Sequence, residues 1–162
     1  MSGEQLIADA QKYRHNLLNF FWRRGVSPSK GDDLVQETFL RLWKYRHEYR
    51  PTAALSTFLF LIARQVWVDE LRRDSRRRER EESWGKERPQ TAPELRFGVK
   101  EDVRWAVARL SEPLREVIEF VVFQDLPYAE VAQILSIPVG TVKSRMFNAL
   151  KKLKEIFDEQ RS

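Results

Sequence analysis

Three features of the sequence predict an all-α fold of two small helical domains joined by a flexible linker, the second carrying a helix-turn-helix. Apolar residues recur at three- and four-residue spacing through most of the chain, the pattern of helices that each bury one face. Glycine is scarce, six in 162 residues, so few positions invite a left-handed backbone. The periodicity fades from Arg76 to Gly98, RRREREESWGKERPQTAPELRFG, which is charged, holds Pro89 and Pro93 and has few core residues. That composition predicts a partly disordered linker, interrupted by a single Trp84. The domains are therefore expected at residues 1–78 and 99–162, with the linker at 79–98.

The first helix is expected over residues 5–24, where Leu6, Ile7, Ala10, Tyr13, Leu17, Leu18, Phe20 and Phe21 keep helical spacing. It ends near Gly25, and VSPSKG reads as a polar turn. The second spans 31–47, with Asp32 or Asp33 as its cap at the positive end of the helix dipole. Val35, Thr38, Phe39 and Leu42 lie on one face; Asp33, Gln36, Glu37, Arg41 and Lys44 lie on the other. Pro51 stops the chain from continuing as helix. The third helix, 55–78, buries Leu55, Phe58, Leu59, Ile62, Ala63 and Val66. A second set, Phe60, Arg64, Trp67 and Leu71, falls on a different side, and six arginines follow between Arg72 and Arg80. Past the linker, Val103, Ala106, Val107 and Leu110 precede a break at Ser111-Glu112-Pro113. Ser111 suits an N-cap, and Leu114, Val117, Ile118 and Val121 form the next apolar side.

From Tyr128 to Leu153 two helices are joined by a tight turn. The first turns Val131, Ala132 and Leu135 to one face, with the small Ala132 suited to a close helix crossing. Pro138 suits the first position of the second helix, since its missing N–H would be unpaired there. That helix is expected to turn Val142, Met146, Ala149, Leu150 and Leu153 inward. Gly140, Thr141, Ser144, Phe147, Asn148 and Lys151 then point outward, flanked by Lys143 and Arg145. Small polar residues at an exposed helix N-terminus, ringed by Lys and Arg, suit a DNA major groove.

Other chemistry is excluded. There is no cysteine, so neither a disulfide framework nor a thiolate metal site can form. His15 and His47 have no ligand-spaced partners, GVSPSKGDD lacks the pattern of a phosphate-binding loop, and no Ser/His/Asp set can be assembled. No catalytic site, metal, cofactor or small-molecule substrate is expected. No apolar run approaches the ~20 residues of a membrane span, and the N-terminus lacks the order of a secretory signal. A cytoplasmic protein with a net charge of +5 that meets a polyanion fits these bounds.

Two blocks together resemble one family. DDLVQETFLRLW (Asp32 to Trp43) with STFLFLIARQVWVDELRR (Ser56 to Arg73) is similar to the second conserved region of bacterial sigma factors. LSEPLREVIEFVVFQDLPYAEVAQILSIPVGTVKSR (Leu110 to Arg145) is similar to their fourth. With only a linker between them and no long N-terminal extension, the chain resembles the minimal, extracytoplasmic-function group. The resemblance implies a sigma factor that binds core RNA polymerase, through the β′ coiled coil and the β flap, and reads promoter DNA at its −10 and −35 elements. It also implies control by an anti-sigma factor. The polymerase-clamping positions fall on Asp33, Leu34, Gln36, Glu37, Phe39 and Arg41. The −10 positions fall on the loop 51–56 and the helix after it: Thr57, Phe60, Arg64, Gln65, Trp67, Arg72 and Arg73. Apolar surfaces there would receive unstacked bases, and cations would hold the backbone. The −35 positions fall on Pro138, Thr141, Lys143, Ser144 and Arg145.

The chain departs from the family pattern in places. Gln65 stands where many members carry asparagine, Asn148 and Leu150 where arginine is frequent, and Ser136 where glycine is common in the turn. The second pair of changes should lower affinity and salt dependence. Two other readings fit parts of the chain. A stand-alone helix-turn-helix regulator explains the C-terminal half but leaves Asp32 to Arg73 without a purpose. A sigma mimic that only occupies an anti-sigma factor would be expected to lose its basic DNA-reading residues, yet Lys143, Arg145 and the arginines from Arg72 to Arg80 remain.

Overall fold

A computed structural model describes residues 2–50, 54–82 and 101–161, and all the regular structure in them is helical. The order is α1 (Gly3–Ala10), a 3₁₀ turn (Gln11–Tyr13), α2 (Arg14–Trp22), α3 (Pro28–Lys44), a short 3₁₀ turn (Arg46–Glu48) and α4 (Leu55–Glu82). Then come α5 (Glu101–Ala108), α6 (Glu112–Ile118), a π-helical turn (Glu119–Phe123), α7 (Tyr128–Leu135) and α8 (Val139–Arg161). The expected linker falls mostly outside the described residues, as do Trp84 and residues 51–53 of the loop before α4. α4 itself runs four residues beyond the expected end at 78.

Local chemistry sets the helix ends. Ser2 caps α1, its hydroxyl accepting from the Gln5 N–H at 3.1 Å. The single expected N-terminal helix is divided by the tight turn at 11–13. α3 begins earlier than expected. Ser27 accepts from the Lys30 N–H at 3.2 Å and Pro28 opens the first turn, so Asp32 and Asp33 are exposed residues inside the helix and not its caps. A serine followed by proline is the stronger start, because the proline lacks the N–H that a first turn leaves unpaired. Gly25 ends the α2 segment with φ 86°, and no Cβ at Gly31 would fit against the Trp22 indole, so α2 and α3 meet closely. Ser111 has the extended backbone of an N-cap before α6, though its hydroxyl makes no capping bond.

The two groups of helices share one hydrophobic core. In the N-terminal group, α1, α2, α3 and α4 bury Leu6, Ala10, Leu17, Phe21, Val35, Leu42, Leu59, Ile62, Ala63 and Val66. In the C-terminal group, α5 to α8 bury Ala106, Leu110, Val117, Ile118, Val131, Ile134, Val142, Met146, Ala149 and Ile156. Between them Phe20, Phe60 and Phe120 form an aromatic triangle with ring centroids 5.6 to 6.0 Å apart. α4 also packs along α7. The second side of α4 is thus turned toward the C-terminal helices at Phe60 and Arg64.

Candidate nucleic-acid interface

α7 and α8 form the expected helix-turn-helix. Ser136 takes the left-handed conformation, φ 55° and ψ 46°, and its N–H reaches back to the end of α7. The Ile137 N–H closes the turn on the Ala132 carbonyl at 3.1 Å. α8 starts at Val139, one residue later than expected; the Pro138 carbonyl receives the Thr141 and Val142 N–H groups. Val142, Met146 and Ala149 are buried, which fixes the opposite face outward. Pro138, Lys143 and Ser144 are exposed, Thr141 and Arg145 half-buried, and a Cβ at Gly140 would meet nothing. Leu150, expected inward, is 55% exposed. The buried set of α8 runs 142, 146, 149 and 156, with Leu153 half-buried, and position 150 falls to one side of that stripe. Phe147 and Leu150 therefore stand as apolar groups on the face that carries Lys143.

The polymerase-clamping positions lie on α3. Asp33 and Gln36 are exposed, Glu37 and Phe39 half-buried. Leu34 is a correction: at 4% exposure it belongs to the core, held on the buried side with Val35 and Thr38. Arg41 is also tied down. It pairs with Glu37 at 3.0 Å and with Asp69 of α4 at 2.7 Å. Burial acts to lower the Arg41 pKa, but its bonds to Glu37 and Asp69 outweigh that and raise it above its ordinary value. The sequence reading missed an apolar groove beside these residues, lined by Glu4, Ile7, Gln36, Phe39, Leu40 and Trp43. Leu40 and Trp43 are exposed, and their wet positions on an amphipathic helix were the available signal.

The −10 positions on α4 divide into two groups. Gln65, Arg72 and Arg73 are exposed. Thr57, Phe60 and Trp67 are 7%, 1% and 9% exposed, so in this arrangement they are core residues and offer no surface to a base. For Phe60 the cover is the C-terminal group's Phe120; Trp67 has Arg24, at the end of α2, 5.8 Å from its ring centroid. Arg64 is half-buried and gives its guanidinium to Glu116 of α6, at 3.1 and 3.3 Å.

Glu116 belongs to a charged seam that the sequence reading did not find. Arg23, at the end of α2, grips Glu119 through two nitrogens at 2.7 and 2.8 Å, with both side chains nearly inaccessible. Arg24 lies 3.8 Å from Glu119 and stacks on the Phe20 ring, 3.7 Å from its centroid. Burial lowers the Arg24 pKa, and the charges of Glu119 and Glu116 oppose that shift. Asn16 donates to Gln124 at 3.3 Å. The π-helical turn brings Glu119 and Gln124 into line: the Gln124 N–H bonds the Glu119 carbonyl, five residues back, at 3.0 Å. Among the described residues no cluster of His, Asp and Glu could hold a metal, and no helix is long and apolar enough to cross a membrane.

Comparison with known proteins agrees with the geometry. Residues 10–77 match the model of sigma-70 region 2, and residues 100–153 match that of sigma-70 region 4. The chain is 30% identical over 148 residues to the ECF RNA polymerase sigma factor RpoE of Cereibacter sphaeroides, covering 90% of this chain and 82% of the relative. The chain belongs to the extracytoplasmic-function sigma factors. Another member, the sigma-E factor of Salmonella typhimurium, is 32% identical over 152 residues, 85% of this chain and 78% of that one. Among solved structures, the sigma factor RpoE of Bartonella quintana, crystallised with the anti-sigma factor NepR, superposes with a TM-score of 0.76. It is 26% identical, and the match covers 93% of this chain and 95% of that one. CnrH, solved with the cytosolic domain of CnrY, shares the fold with a TM-score of 0.70 at 20% identity, over 97% of this chain and 95% of that one. As a sigma factor the chain is a transcription initiation factor that directs RNA polymerase to promoters.

Proposed function

We propose that this sigma factor divides its work between two domains, at about 1–78 and 99–162. The first grips polymerase through α3 and the −10 strand through α4; the second reads the −35 element through α8. The observation that carries this reading is the helix-turn-helix. It buries one face of α8 and leaves Pro138, Lys143 and Ser144 on an open face at the helix start. Thr141 and Arg145 flank that face. Lys143 and Arg145 hold phosphates, and Ser144 and Thr141 reach base edges.

On α3 the polymerase surface is the polar stripe of the exposed Asp33 and Gln36 and the half-buried Glu37, with Phe39 and the groove beside it taking the apolar part of the contact. The β′ coiled coil is its partner, and the β flap takes the C-terminal domain. The −10 contact falls to Arg64, Gln65, Arg72 and Arg73, with Thr57 and Trp67 on the same helix, joined by Phe60 when the C-terminal helices leave α4. The protein acts in the cytoplasm, is not an enzyme, and separates strands with binding energy inside the polymerase complex. Its control is by an anti-sigma factor, as the solved complexes of its relatives support. Each DNA contact is weak alone, and the tether makes the second intramolecular once the first has formed.

Reconstitution with core polymerase tests the division. The purified chain should co-elute with core. Glu37→Lys should weaken that association at least about tenfold, the equivalent of 1.4 kcal/mol, and leave binding of −35 duplex DNA by the free protein unchanged. Equal loss of both would contradict the assignment of separate surfaces.

A further inference from the structure

The open face of α8 contains more than polar groups. Phe147 is 68% exposed and Leu150 55%, on a helix whose opposite side buries Val142, Met146, Ala149 and Ile156. Gly140, Ser144, Phe147 and Lys151 follow one another at helical spacing along the line farthest from that buried stripe, and all four are exposed. Phe147 therefore lies on the line of Ser144, one turn further along and roughly 10 Å from Gly140 at 1.5 Å per residue. The major groove is about 12 Å wide, so a helix that enters it with Gly140 leading still holds position 147 between the groove walls.

A phenyl ring has no donor and no acceptor. It can neither hold a phosphate nor tell apart the hydrogen-bonding edges of the bases. The apolar feature on the floor of the major groove is the C5 methyl of thymine. The surroundings of the ring favour DNA over a protein surface. Lys143, Lys151 and Lys154 are exposed beside it, and the apolar part is completed only by Leu150 and Val139. Three side chains fall far short of the about 800 Å² per partner that a stable protein interface buries. An exposed ring among cations suits a polyanion that offers it a methyl group.

We propose that Phe147 is a specificity-determining residue that selects thymine within the −35 element. This rests on the reading of α8 as the −35 helix. The ring lies against the C5 methyl of a thymine next to the base pairs that Thr141 and Ser144 reach, and Leu150, one turn on, covers the edge of the ring. The contact takes ring and methyl out of water together, so it draws on the hydrophobic effect and releases no counterion. Its mark is a preference for thymine that salt leaves alone. Lys143 is the contrast, acting on all sequences alike and weakened by salt.

The test uses the full-length chain at low salt to select from a pool of short randomised duplexes. The selected sequences should share at least one thymine. Each shared thymine is then replaced by uracil, which removes the methyl and keeps every hydrogen-bonding group. At one of these positions the parent should bind about fourfold more weakly, the worth of one methyl group withdrawn from water. Phe147→Ala should bind the thymine and uracil duplexes equally and keep the parent's slope of log K against log salt. Phe147→Leu should restore part of the discrimination. Phe147 is exposed, so both variants should keep the parent's melting temperature, and a loss of discrimination is then not a loss of fold.

A parent indifferent to uracil at every thymine, or a Phe147→Ala variant as sensitive to the methyl as the parent, would overturn the assignment and leave α8 as the −35 reader. A parent that selects no duplex at all would remove the −35 reading, and this inference with it.

Discussion

The two surfaces proposed to face DNA are presented in opposite ways. The face of α8 is open: Pro138, Lys143 and Ser144 stand in water, and nothing approaches Gly140. The corresponding face of α4 is closed, with Phe60 under Phe120 and Arg64 paired to Glu116. The difference follows from what each surface is made of. Small polar residues and flanking cations on α8 need no apolar cover, and the Ser144 hydroxyl donates to the Thr141 carbonyl at 3.1 Å. Aromatic residues that would receive a flipped base do need such a cover in the free chain. A surface for an unstacked base is therefore the one that a second domain can occupy.

That contrast can be broken most forcefully at Glu119. Glu119→Gln removes the charge that neutralises Arg23 and Arg24 in a nearly inaccessible place, and it should lower stability by about 3–5 kcal/mol in urea denaturation. Binding of −35 duplex by the surviving folded protein should not change. Glu116→Gln should have a smaller effect, about 1–3 kcal/mol by the same measurement, because a third of Arg64 is already in water. If the two variants cost the same, the seam is not graded by burial and its description is wrong.

Lys143→Ala tests the open face. Melting temperature should hold within error. Affinity for −35 duplex should fall across all sequences, and the slope of log K against log salt should shrink by about one unit, the mark of one lost phosphate contact. A change of preferred sequence without a change of slope would make Lys143 a base reader. The smallest expected effect lies at Ser136, a non-glycine residue held left-handed in the turn. Ser136→Gly should raise stability by about 1 kcal/mol, read as a shift in denaturation midpoint at constant slope.

Much of the fold was legible because helical periodicity reports which side of a helix is dry. The stripe from Leu59 to Val66 was identified as buried, and so were Val142, Met146 and Ala149. Periodicity also marked Phe60, Arg64 and Trp67 as a separate side of α4, but it cannot say what that side meets. DNA and the C-terminal helices demand similar residues there. Glu116 and Glu119 escaped notice for a related reason. A charged residue beside Val117, Ile118 and Phe120 reads as the wet edge of a helix unless its partner is known, and Arg23 and Arg64 are far away in sequence. The π turn that aligns Glu119 with Gln124 departs from the 3.6-residue period on which the reading relied. Leu150 was misplaced because the buried stripe of the long helix α8 runs closer to 3.5 residues and passes it by.

The polar stripe on α3 was visible as Asp33, Gln36 and Glu37. The apolar groove beside it was not, because one of its walls, Ile7, comes from α1, and sequence alone does not pair the two helices.

The most direct test of the central claim is run-off transcription with core polymerase, this chain and a library of randomised upstream duplexes. The account predicts discrete start sites, each preceded by two sequence blocks at fixed separation, with Thr141→Ala weakening selection of the upstream block and Gln65→Ala that of the downstream block. Absence of start sites together with failure to co-elute with core would contradict it.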